Sequence, residues 1–94
     1  MLSKIPIDLQ KVVQADLNKE ILRAGIIGEF DAINLYEQLA AMTTKASIKR
    51  TLLDIVKEEK THVGEFQALL LLEDKEQKQE LENGRKEVQG IKKK

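Results

Sequence analysis

The chain has 94 residues, 34% of them charged and 41% hydrophobic, so it has room for one small domain. Its 16 basic residues balance its 16 acidic ones, leaving no net field that would argue for nucleic acid or an anionic membrane surface. The absence of cysteine excludes disulfides, thiolate metal sites and cysteine nucleophiles.

No apolar run approaches the roughly 20 residues needed to cross a bilayer, and no signal peptide opens the chain, so a cytoplasmic setting is expected. Ala, Leu, Ile, Glu, Lys and Gln dominate and there is a single proline, the composition of a chain of long helices. Residues 1–14 contain Pro6 and read as an irregular N-terminal segment. From Ala15 to Met42 only Gly25 and Gly28 weaken a helix, each by about 1 kcal/mol relative to Ala. Thr43-Thr44-Lys45 reads as a short connection, with either threonine able to cap the next helix. That helix is predicted to run from Lys45 to Leu72, giving a hairpin over residues 15–72. Glu73-Asp74 then interrupts the apolar pattern, and residues 73–94 read as a short polar helix over Lys75 to Asn83, stopped by Gly84, and a frayed tail.

The two long helices carry matching patterns. In the first, Leu22, Ile26, Glu29, Ile33, Tyr36 and Ala40 advance in steps of four and three, the rhythm of a single seam. In the second, Ile48, Leu52, Ile55, Glu59, His62, Phe66 and Leu69 do the same. A short connection makes the helices antiparallel neighbours, and residues equally far from Thr44 then share a height. Glu29 falls level with Glu59, and Ile26 with His62. The stretch Ala68 to Leu72 is apolar on every side and argues for burial in an oligomer. The fold class expected is all-α: an antiparallel two-helix hairpin plus a short C-terminal helix, dimerising into a four-helix bundle.

Every seam position is apolar except Glu29, Tyr36, Glu59 and His62. Carboxylates in an apolar seam are costly unless paired or bound to a cation, and no Lys or Arg shares this seam. Glu59-Lys60-Thr61-His62 is Glu-x-x-His, which puts both side chains on one helical face. A lone Glu-x-x-His is common on exposed helices, but here Glu29 reaches the same height independently. Helical di-iron sites use a Glu from each of two helices and Glu-x-x-His from two more, so this chain holds half the set. Carboxylate-rich ligands with one imidazole per metal suit iron or manganese better than zinc. Tyr36 faces the same seam two turns away, as an interface aromatic or as support for the ligands. Asp31, Glu37, Glu58 and Glu65 fall outside it, as solvated charges or a lead-in for cations.

Residues 20–72, with Glu29-Phe30-Asp31-Ala32-Ile33-Asn34-Leu35-Tyr36 and Glu58-Glu59-Lys60-Thr61-His62, resemble the encapsulated ferritins. These are two-helix ferritin-like proteins related more distantly to rubrerythrins. The resemblance implies dimers holding two irons between the chains, with manganese, calcium or zinc as substitutes. It further implies rings, usually of five dimers, and a ferroxidase whose ferric product is stored inside an encapsulin nanocompartment. By position, Glu29, Glu59 and His62 would be the ligands and catalytic residues, with Tyr36 beside them. The resemblance implies an encapsulin shell as partner, met as cargo or by fusion. The end Val88 to Lys94 carries no convincing copy of the family's shell-targeting peptide, which is expected of an N-terminal domain excised from a fusion or of a chain targeted differently. Gly28 beside Glu29 departs from the accessory metal sites proposed near that position. Two other functions fit the residues: a rubrerythrin-like peroxide reductase with a separate electron donor, and a non-catalytic oligomerisation module whose seam polars set register.

Overall fold

The computed structural model describes residue 8 and residues 14–92. The expected irregular segment at residues 1–14 therefore lies almost wholly outside the described residues. A single 3-10 turn at Gln14–Asp16 leads into α1 (Leu17–Met42), followed by α2 (Ala46–Glu73) and α3 (Lys75–Lys92). No strand occurs among the described residues. Asp16 and Glu20 place negative charge at the start of α1, where the helix dipole favours it.

The turn after α1 differs from the threonine cap read in the sequence. Thr43 is extended, and its N–H donates back to the Leu39 carbonyl at 3.2 Å. Its hydroxyl accepts the Lys45 N–H at 3.2 Å, so the side chain closes the linker itself. Lys45 is the residue that precedes α2, and no side chain caps that helix. α1 and α2 then pack along their length, with Ile33, Ala40, Val56 and Leu70 forming the buried core.

The face that α2 turns towards α1 keeps the middle of the predicted seam, with Glu59, His62 and Phe66 half-buried, but departs from it at the ends. Val56 and Leu70 are buried, while the seam residues Ile48 and Leu69 remain 47% and 51% exposed. One helix can cover only a narrow stripe of another, so part of the apolar surface on α2 stays at the edge of the contact. Together with Ile21, Ile27, Phe30 and Leu53, these side chains leave the hairpin unusually apolar outside.

A single extended residue, Asp74, separates α2 from α3. Its Oδ1 accepts the Gln77 N–H at 3.0 Å, the bond of an N-cap, and its carbonyl accepts the Lys78 N–H. Arg23 Nη2 of α1 donates to Oδ2 of the same carboxylate at 2.7 Å. The sequence marks Asp74 only as a break in the apolar pattern; its long-range partner becomes visible only in the fold. The Gln77 amide, and after it the Arg23 guanidinium, hold the Asp74 carboxyl below its usual range against the upward push of burial.

α3 does not stop at Gly84 but continues to Lys92. Ties one turn apart carry the helix past the glycine: Gln79 to Asn83, Asn83 to Glu80 and Arg85 to Glu82. A hairpin of 26- and 28-residue helices is about 40 Å long and much narrower. The extents of 46 × 45 × 20 Å therefore make α3 an arm leaving the hairpin at a steep angle.

Candidate metal centre

α1 and α2 bring three of the predicted residues together. Their register sets His62 Nδ1 3.5 Å from Glu29 Oε1 across the hairpin, and 3.8 Å from Glu59 Oε2 one turn back on its own helix. One ligand atom from each of the three lies within 4.8 Å of the others. Donors sharing one small cation at about 2.1 Å stand roughly 3–4 Å apart, so this spacing fits a common ion. It is too long for good direct hydrogen bonds.

The two sides of the cluster differ in burial. The Glu29 and Glu59 side chains are 18% and 19% exposed, whereas His62 is 44% exposed. Glu29 Oε2 is shut off from solvent and has no hydrogen-bond partner. A carboxylate oxygen left so is costly, and a bound cation is the direct remedy. The donor set of two carboxylates and one imidazole thus fits a metal of the iron or manganese type.

Tyr36 joins the same neighbourhood. A groove floored by Gly25, Gly28 and Ala32 of α1 and walled by Tyr36 and Phe66 reaches both Glu29 and Glu59. Phe66 stands in the predicted seam, whereas Gly25 is the part of these surroundings that seam spacing did not single out. The sequence pairs Phe66 with Leu22, but the ring lies over Gly25. The unusual placement of a glycine opposite an aromatic was the available signal.

The family model described as Rubrerythrin matches residues 20–93, so the match runs through α3 as well as the hairpin. A ferritin-like-encapsulin shell fusion protein from Pyrococcus furiosus is 56% identical over 72 residues, 77% of this chain. The chain spans 21% of that relative's length. The crystal structure of the encapsulated ferritin domain from Pyrococcus furiosus superposes with a TM-score of 0.82 at 47% identity, covering 97% of this chain and 95% of that one. The chain belongs to the rubrerythrin family and, within its ferritin-like members, to the encapsulated ferritins.

Proposed function

We propose that two copies of the chain pair across the open face of the hairpin and act as a ferroxidase, oxidising ferrous iron for storage inside an encapsulin nanocompartment. Each copy supplies Glu29, Glu59 and His62 to a site that takes two iron ions per dimer, with manganese, calcium or zinc as substitutes. The observation that carries this reading is the orphaned Glu29 oxygen, held beside Glu59 and His62. Half-exposed Ile48 and Leu69 lie on the same helix as Glu59 and His62, where a second hairpin would cover them.

Iron is here the substrate. Two glutamates per chain make four in the pair, matching the charge of two ferrous ions. Each ferrous ion loses one electron, with oxygen as the acceptor, and the protein's contribution is to hold both ions in one place. Tyr36 lines the groove and shapes the wall near the carboxylates. The relatives' names point to a shell as partner, which this chain would meet as cargo or by fusion, in the cytoplasm. Pairs would assemble further into a ring, in line with a decamer of five dimers. Residues 73–94 would serve as the connection to a shell domain.

The test is Glu59→Ala. Oxygen-dependent ferrous oxidation should fall to background while the helical circular dichroism stays intact; unchanged kinetics would overturn the mechanism. The rubrerythrin match favours one second reading, a peroxide reductase. With no cysteine in the chain, its electron donor would be separate. Peroxide turnover with added reductant, faster than ferrous oxidation by oxygen, would select it. A dimer that takes up no iron after ferrous loading would leave a purely structural helical module.

A further inference from the structure

Gly25 sits inside α1, where glycine costs about 1 kcal/mol relative to alanine, and no glycine among the described residues has a positive φ that would require it. Space is the remaining reason. A Cβ at Gly25 would come within 3.2 Å of Cδ2, Cε2 and Cζ of Phe66, so the ring lies flat on the bare backbone. The same addition at Gly64, Gly84 or Gly90 would meet nothing. Gly25 is one turn before Glu29 on α1, and Phe66 is one turn after His62 on α2. Both line the groove that reaches Glu29 and Glu59.

From this placement, and resting on the metal-binding reading above, we infer that Phe66 seated on Gly25 is a positioning pair for the metal centre. The ring forms the apolar wall at one end of the carboxylates, and Gly25 sets how close that wall stands to α1. A side chain at position 25 lifts the ring away from α1. The wall then shifts relative to Glu29 and Glu59, whose spacing must hold to about half an ångström for a working site. Neither residue touches the metal in this proposal; both act through the ligands.

The experiment uses cobalt(II) as a spectroscopic probe on the full chain, read by visible absorption and by titrated affinity, with circular dichroism as the control for folding. Gly25→Ala should weaken cobalt binding by about threefold and Gly25→Val by more than about tenfold, with a changed absorption envelope, as expected for ligands displaced by tenths of an ångström. A merely structural role predicts the reverse for Gly25→Ala, since alanine strengthens the helix. In the Phe66→Leu background, itself weaker than wild type, Gly25→Ala should change affinity by less than about twofold, because the clash is gone. Wild-type binding left unchanged by Gly25→Val would overturn this inference alone. Equal penalties for Gly25→Ala with Phe66 and with Leu at position 66 would overturn it too. A wild type that binds no cobalt would overturn the metal reading and this inference with it.

Discussion

Glu29 keeps one oxygen out of water with no donor to meet it, and the His62 imidazole stands 3.5 Å from the other oxygen. In the metal-free protein this charge opposes folding. Glu29→Gln keeps the shape and removes the charge, and should therefore raise metal-free stability by about 1 kcal/mol. The same change should remove the stabilisation by metal, which for wild type reaches about 2.7 kcal/mol when the free metal is a hundredfold above its Kd. Thermal melts of both proteins with and without manganese check the two signs together. A wild type that gains nothing from metal would contradict the prediction.

At the scale of elements, α3 depends on one carboxylate. Asp74 caps it and receives Arg23 from α1, so the arm's direction and its first turn rest on the same group. The folded-state pKa of Asp74 is depressed, so its contribution is present above the ordinary carboxylate range and is lost as pH falls through the lowered folded value. The gap in melting temperature between wild type and Asp74→Asn should stay constant from neutrality to about pH 5 and close only below about pH 4. A gap that closes near pH 6 would place its origin elsewhere. Farther along, Gly84 occupies open space with helical backbone. Gly84→Ala should strengthen α3 by about 1 kcal/mol, read as slower amide exchange on both sides of position 84. Exchange unchanged there would mean that opening of α3 is set at its ends.

For the whole molecule, core and surface are out of proportion. Among the described residues the buried apolar side chains are Ile33, Ala40, Val56 and Leu70, while Phe30, Ile48, Leu69 and Leu72 are at least 47% exposed. A small helical unit of this kind gains stability by covering such surface with another copy. Pairing would also bring four glutamates together, and like charges resist that unless a cation intervenes. Ferrous iron should therefore shift the protein towards larger assemblies in native mass spectrometry. Glu29→Ala combined with Glu59→Ala should abolish the response and assemble without metal. One oligomer at every iron concentration would separate assembly from metal binding.

Periodicity made the hairpin legible because two helices joined by a short turn have only one way to bury matching stripes. That register alone set Glu29 level with Glu59 and about one turn from His62, and the fold brings their ligand atoms within 4.8 Å of each other. Spacing along a helix is a local property, so Glu-x-x-His could be read without the fold. The resemblance at residues 20–72 likewise rested on local runs, and the family match confirms it. What lay beyond the sequence depends on which neighbour arrives from far away. Asp74 looked like an interruption until Arg23, 51 residues earlier, closed on it. Gly84 looked like a stop because helix propensity is weak against side-chain ties on both flanks. Gly25 looked like a flaw in a helix until the Phe66 ring took the space its missing Cβ leaves. Which edge of α2 is covered, Val56 and Leu70 rather than Ile48 and Leu69, was decided by packing, since a one-helix contact covers less than the apolar stripe offers.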